Sequence, residues 1–409
     1  MAMQTGTTCF DYIIAGCGGA GLFLARYISL SEQLKNKRVL LLDADGQKSN
    51  DRTWCFWSDQ APPLPHIQQK NWQELQLSDE AQLQSFNIAP LRYYFTRGID
   101  FYRQLREELD GHPNFVFQKA RITDIEDTDT GAEVRTDQGT FYGKYAFSSL
   151  PVSIPKTELT TRQHFRGWFI RSKEAAFDPE KMCLMDFRTS QQEGASFFYV
   201  LPLSAHEALV EYTVVSDNIL KTEAYEEALQ RYVATQLKIK DFEITHTEQG
   251  VIPMTTYHFS RQVGRHVMRI GTSGGMTKAS TGFTFKNMQE DAQRIVQQLE
   301  REGQPFYPVK KKRRFRFYDA LLLHMLKYYP EVTPSIFEQL FRRNQARTVL
   351  TFLDERSSLW QEALIFMKLP WKPFLRSLWQ YYAVPYMRGK FNWRQAKAPY
   401  YVTTQSEET

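Results

Sequence analysis

Cysteine is scarce in this chain, and none of it is arranged for chemistry. Cys9, Cys17, Cys55 and Cys183 form no CxxC pair, and the 8 histidines fall at no HxxxH or HExxH spacing. Neither a disulfide framework nor a zinc site is expected, no metal is required, and a reducing cytosol fits. Long apolar runs are lacking too. The longest, such as Ala320–Leu323, fall far short of the roughly 18 to 20 residues that a membrane-spanning helix needs. Met1–Thr8 is polar and leads straight into the first strand, without the charged-then-apolar order of an export signal. Net charge is only +5, and no DNA- or RNA-binding module accompanies the positive residues, so nucleic acid is not an expected partner. The positives do cluster, most densely in Lys310-Lys311-Lys312-Arg313-Arg314-Phe315-Arg316.

Aromatic residues, by contrast, are plentiful. At 14% of 409 residues they supply more apolar wall than folding alone usually needs, which hints at a large apolar pocket in a chain long enough for two or three lobes. The first fifty residues carry the clearest motif. Asp11–Ala15 reads as a buried strand, Gly16-Cys17-Gly18-Gly19-Ala20-Gly21 follows at once, and Leu22–Tyr27 continues as a helix. A second strand, Arg38–Leu42, ends at Asp43, roughly 20 residues past the last glycine. Strand, GxGxxG, helix, strand and acid in that order form a dinucleotide fingerprint: glycines let the backbone approach a pyrophosphate, whose charge rests on the helix N-terminus, and the acid takes the ribose.

Beyond Asp51 the regular strand-helix alternation of nicotinamide dehydrogenases breaks down. Residues 50–57, Asn-Asp-Arg-Thr-Trp-Cys-Phe-Trp, set Asp51 and Arg52 beside three large aromatics, and Pro62, Pro63 and Pro65 follow. A helix is expected at Arg97–Leu105 and strands at Phe115–Phe117, Ile122–Glu126 and Ala132–Thr136. Glycine returns in Ile270–Gly282, and this second loop is expected to open another helix, through Asn287 and Asp291, whose positive end suits an isoalloxazine ring better than a nicotinamide.

These motifs, with Phe198-Tyr199-Val200-Leu201-Pro202-Leu203-Ser204, Leu209-Val210-Glu211-Tyr212-Thr213, Gly274-Gly275-Met276 and Ser280-Thr281-Gly282, resemble the flavin-dependent lycopene cyclases of carotenoid biosynthesis over about residues 11–390. The resemblance implies a mixed α/β fold like that of aromatic hydroxylases and geranylgeranyl reductases. A Rossmann-like FAD domain (8–60, 95–150, 261–305) is interleaved with a β-sheet substrate domain (61–94, 151–260), followed by a helical C-terminal region (306–400) and a disordered tail (401–409). It implies FAD contacts at Gly16, Gly18, Gly19, Gly21, Asp43, Arg52, Arg97, Gly274, Gly275, Met276, Thr281 and Gly282, with NADPH or NADH as reductant. Two positions depart from the wider pattern: Gly271-Thr272 stands where hydroxylases have Gly-Asp, and Lys278-Ala279 where some cyclases have His-Pro.

The implied reaction closes the ends of lycopene, or of a related linear carotene, into β-ionone rings without net reduction. It needs a proton donor, a water-free site for a tertiary cation, and a base. A carboxylic acid stays protonated near neutral pH only where desolvation raises its pKa. Strand alternation alone turns Val210 inward and Glu211 outward; the motif makes Glu211 the catalytic acid. Trp54, Phe56 and Trp57 are expected to line the pocket beside the flavin, where ring faces stabilise a cation, or else to be interface core. Asp186, a second acid in apolar company, is also expected in the substrate pocket, with Arg188 as its available partner. The hydrocarbon substrate resides in membranes, so peripheral docking on the inner face of the cell membrane is expected, through Lys310–Arg316 and the aromatic-cationic segment Trp371–Trp393, with no protein partner required. A flavin-dependent isoprenoid reductase or hydroxylase, and a non-enzymatic prenyl-binding protein, share this fold and remain alternatives.

Overall fold

The computed structural model describes residues 9–46, 48–78, 82–309 and 312–383. The two unbroken apolar runs near the start become strands β1 (Cys9–Ala15) and β2 (Val39–Asp43), which pair in parallel. β8 (Phe115–Lys119) lies beyond β2. On the other side of β1 come β11 (Gly139–Ser148), β18 (Val267–Arg269) and the short β17 (Gln262–Val263). Strands buried on both faces need two covers. Helices α1 (Gly19–Leu30), α2 (Gly98–Asp110) and α4 (Phe285–Glu302) supply one, around Phe23, Phe101 and Phe285. The meander of β9 (Ile122–Asp127) and β10 (Ala132–Thr136) supplies the other, over Ile13, Leu40 and Leu42.

The second sheet runs in the order β16 (Phe242–Thr255), β12 (Thr160–Ser172), β15 (Glu207–Ser216), β14 (Ala195–Pro202), β13 (Lys181–Asp186), β5 (Glu74–Ser78) and β6 (Leu83–Asn87). Its strands are antiparallel except for the parallel β13–β5 pair. One face carries helix α3 (Thr222–Thr235), whose Tyr225, Leu229 and Tyr232 pack on Val210, Tyr212 and Val214. A three-stranded sheet of β3 (Thr53–Ser58), β7 (Arg92–Arg97) and β4 (Lys70–Trp72) packs on the other face. So do the C-terminal helices α5 (Arg313–Tyr328), α6 (Thr333–Arg342), α7 (Ala346–Leu353) and α8 (Leu359–Met367); α9 (Trp371–Leu378) packs on α5.

Two expectations change here. With both faces covered, every residue of β15 from Ala208 to Val215 is buried, so alternation does not turn Glu211 to water. The helix expected after the second glycine loop is found as α4, which opens at Phe285 and contains Asn287 and Asp291, while the loop itself starts with a 3₁₀ turn at Gly271–Gly274. Segment 61–94 divides, β4 and β7 joining β3 while β5 and β6 extend the large sheet. No helix among the described residues is long and apolar enough to cross a membrane.

Candidate active site

Glu211 meets a second acid that the sequence does not advertise. In the ladder of the large sheet, Gly167 on β12 is the register partner of Glu211 on β15 and, on its other side, of Glu248 on β16. Directly opposed residues share a face, so the two carboxyls rise from the same side of the sheet and only a glycine stands between them. A Cβ on residue 167 would lie 3.2 Å from Cγ of Glu248 and 3.5 Å from Cβ of Glu211. Glycine weakens a strand interior and marks a close approach; here it lets the two acids lean together until their side chains share a hydrogen bond.

Each carboxyl is tied down by one hydroxyl. Thr213 Oγ1 donates to Glu211 Oε1 at 2.7 Å, and Thr53 Oγ1 donates to Glu248 Oε2 at 2.8 Å. Glu248 Oε1 is buried without a donor. Two anions so placed would repel in a dry setting, and a proton on the neighbouring carboxyl would supply the missing donor. Burial, reinforced by the charge of Glu248, pushes the Glu211 carboxyl well above the usual carboxylate range, against the Thr213 hydroxyl, which favours the charged form. Burial likewise pushes Glu248 up to about 7, opposed by the Thr53 and Glu211 contacts. Burial and mutual repulsion thus both favour the neutral, protonated form of a carboxyl in this pair.

Strand β3 links these acids to the glycine loop. Its period of two sends Thr53 down to Glu248 and Trp54 to the opposite side, where the indole lies 3.3 Å from a Cβ built on Gly19 at the start of α1. The helix begins without a side-chain cap and with no acid in its first turn, leaving N–H groups free for an anion. A Cβ on Gly18 would meet nothing within 4 Å, whereas one on Gly21 would strike the Gly16 carbonyl oxygen at 2.1 Å. Gly21 is thus demanded by helix-strand packing and Gly18 by nothing in the chain itself. The Cys17 amide donates to Asp43 at 2.6 Å, and Asp43 also accepts from Lys48 at 2.8 Å. Cys17, Asp43, Lys48, Tyr102 and Arg106 line a cleft of about 620 Å³, room for the adenosine half of a dinucleotide.

The second glycine loop closes the circuit. A Cβ on Gly271 would lie 2.9 Å from Cβ of Ala20, so the two loops abut. Gly282 sits 3.1 Å from Gln163 Oε1 and 3.4 Å from Ile252 by the same measure. Those residues stand four positions from Gly167 and Glu248 on the same two strands, about 13 Å along the sheet. Thr281 Oγ1 and Trp54 Nε1 are buried without partners, one beside each loop. A glycine cradle, an uncapped helix end, an acid at the second strand and two buried polar atoms without partners form a set that fits a flavin dinucleotide.

The description "Lycopene cyclase protein" matches residues 11–379. The chain belongs to the lycopene cyclase family. A lycopene beta-cyclase of Pantoea ananas is 25% identical over 256 residues, 60% of this chain and 63% of that protein, so the match spans less than two thirds of the relative. In fold the cyclase-family chain is similar to a geranylgeranyl bacteriochlorophyll reductase-like protein of Thermoplasma acidophilum (TM-score 0.56, 10% identity, 94% of this chain and 100% of that one). It is also similar to a probable FAD-dependent monooxygenase from Pseudomonas aeruginosa (0.53, 15%, 85% and 100%) and to the flavin-dependent brominase Bmp2 (0.54, 12%, 93% and 100%).

Against this family background the remaining residues sort by contact. Trp54 and Phe56 pack with Phe285 in the nucleotide-domain core, while Trp57 stacks on Tyr93 in the substrate-domain core. Phe56, Trp57 and Met276 meet Phe283 and Phe285 along a cleft of about 260 Å³. Trp54 and Phe56 thus face the nucleotide-domain core and Trp57 the substrate domain, with Phe56 and Trp57 meeting along one cleft between Phe283 and Phe285. Arg52 pairs with Asp51 at 2.6 Å and Arg97 with Asp100 at 2.8 Å. Asp186 is fully buried; burial alone would raise its pKa, but donation from Arg188, Tyr232 and Ser78 outweighs it, and the group is held ionised. Lys278 turns from the loop to Asp319 at 2.7 Å and Glu355 at 3.0 Å, fastening the loop to the helical region.

Proposed function

We propose that this chain closes the ends of a linear carotene, lycopene or a close relative, into rings by proton-initiated carbocation chemistry. The observation that carries the reading is a buried, protonatable carboxyl at the family's motif position, Glu211, joined through one strand to a dinucleotide cradle. Glu211 delivers its proton to the terminal double bond of the polyene, and the resulting tertiary cation is attacked by a second double bond. Loss of a ring proton restores neutrality, so no hydrogen is gained overall. Leu209, Val215, Tyr93 and Phe197 on and above the acid-bearing face keep water from the cation. FAD would be held by Gly16–Gly21 and the start of α1 at its pyrophosphate, by Asp43 at its ribose, and by Gly274, Gly275, Met276, Thr281 and Gly282 near its ring. Reduced once by NADPH or NADH, it would supply a fixed negative charge facing the cation. Expression in a lycopene-accumulating host tests the reading: lycopene should fall and a cyclic carotene of equal mass should appear, whereas unchanged lycopene beside abundant, flavin-loaded protein would reject it.

The same reading needs access to a membrane-dissolved hydrocarbon. Trp360, Met367 and Trp371, on the consecutive helices α8 and α9, are 71%, 72% and 64% exposed, with Lys368 and Lys372 exposed beside them. Aromatic and cationic side chains in this mixture suit a headgroup layer. Phe374, by contrast, packs on the core, and Arg314 turns inward to Glu362 at 2.8 Å, so neither is a docking group. Lys310, Lys311 and the expected contacts beyond Ala383, namely Tyr386, Arg388, Lys390, Phe391 and Trp393, lie outside the described residues. Replacing Trp360, Trp371 and Trp379 with serine should weaken binding to anionic liposomes about tenfold or more. Unchanged co-sedimentation would move the docking surface elsewhere.

A further inference from the structure

We infer that Glu211 and Glu248 act as one acid pair sharing a single proton across Gly167, with Glu248 the positioning partner that holds the proton on Glu211 and drives its return after ring closure. The inference rests on the reading of Glu211 as the acid and goes beyond it by giving Glu248 and Gly167 roles. Three contacts carry it. Both acids are register partners of the same glycine; each keeps one oxygen on a fixed threonine hydroxyl; and Glu248 Oε1 is buried with no donor other than a proton on its neighbour.

The charge balance follows. Before reaction the pair carries one proton and one negative charge. Transfer to the polyene breaks the Glu211 O–H bond and forms a C–H bond from the electron pair of the terminal double bond, leaving a cation beside two facing carboxylates. Like charges in a dry pocket make that state a strong base. It takes a proton from the ring carbon next to the cation, whose C–H electron pair becomes the ring double bond. The pair ends as it began, and no outside acid or base is consumed.

The other groups that face the pair do not take over its proton. Asp51 and Arg52 are paired with each other, and Cys55, Tyr93 and Tyr199 are all pushed toward their neutral forms by burial. His246, two residues before Glu248, donates Nε2–H to the Asn50 carbonyl oxygen at 2.7 Å.

The experiment is the pH profile of anaerobic turnover with flavin reduced and lycopene in liposomes, for wild type, Glu248→Gln and Glu248→Asp. Removing the partner charge should move the alkaline limb of the profile down by about one unit or more and cut turnover at neutral pH about ten- to a hundredfold. Aspartate, which keeps the charge, should restore the limb toward its wild-type position. A role in folding alone would lower turnover at every pH and leave the limb in place, and that result overturns the pair. Because Glu248→Gln could fold poorly, an infrared titration of Gly167→Ala is the second measurement. The protonated-carboxyl band should be lost at lower pH once a methyl separates the acids, and a band titrating as in wild type contradicts the inference. Glu211→Gln separates the two levels. If it still cyclises, the reading of Glu211 fails; if it is inactive while Glu248→Gln keeps the wild-type limb, only the pair fails.

Discussion

Glu211→Gln should cut cyclisation about 10²- to 10⁴-fold while leaving a folded, yellow protein. The amide keeps the size of the side chain and can still accept from Thr213 Oγ1, now 2.7 Å from the carboxylate oxygen, so packing on β15 is preserved. What disappears is the transferable proton. The change also removes one of two facing acids, so stability should hold or rise, since a buried carboxylate is costly unless compensated. The check is product chromatography alongside flavin content and thermal unfolding. Near wild-type product from the variant would remove Glu211 from the chemistry.

Gly18→Glu should give a folded but colourless protein, with FAD affinity reduced at least about a hundredfold. Gly18 sits at the cap of α1 with φ −81° and ψ −167°, an extended conformation open to any residue, and a Cβ there meets nothing within 4 Å. The protein itself therefore tolerates a side chain. A bound pyrophosphate would not: the carboxylate would occupy the approach to the free N–H groups and place negative charge where the ligand needs positive. Flavin absorbance and unfolding temperature separate the outcomes. Colourless protein at the wild-type unfolding temperature supports the cradle, and full flavin content would show that the dinucleotide lies elsewhere. Gly21 is unsuited to this test, because its Cβ would collide with the Gly16 carbonyl oxygen whatever is bound.

The nucleotide half of the fold is legible in the sequence because its signals are local. An apolar run, three glycines and an acid on the next strand fall within the first fifty residues, and each has a steric or electrostatic reason that acts over a few positions. The expected helix at Arg97–Leu105 and the strands after it are found as α2, β8, β9 and β10 for the same reason. Glu211 is half legible: the motif marks it, but alternation turns it outward, and only the packing of β3, β7 and the C-terminal helices over the second face of the sheet explains its burial. Glu248 is not legible at all. It lies in Thr245-His246-Thr247-Glu248-Gln249, a polar stretch that reads as a solvated edge strand, and most of its neighbours are exposed or half-buried. Its role comes from register: a one-residue slip of β16 against β12 would turn its carboxyl to the opposite face. The segment Asn50–Trp57 is explained in the same way. Alternate residues serve different domains because a strand divides them, Thr53 holding Glu248 and Trp57 packing in the substrate domain while Trp54 covers the glycine loop.

The central claim is a proton-driven isomerisation in which flavin is needed but not consumed, and its most direct test is stoichiometry. The holoenzyme, reduced once and held without oxygen, is given excess lycopene in liposomes, and product is counted and weighed by mass spectrometry. The account predicts many cyclic products per reducing equivalent, each with the mass of the substrate. One product per equivalent, heavier than the substrate by two hydrogens, would contradict it and make the enzyme an isoprenoid reductase.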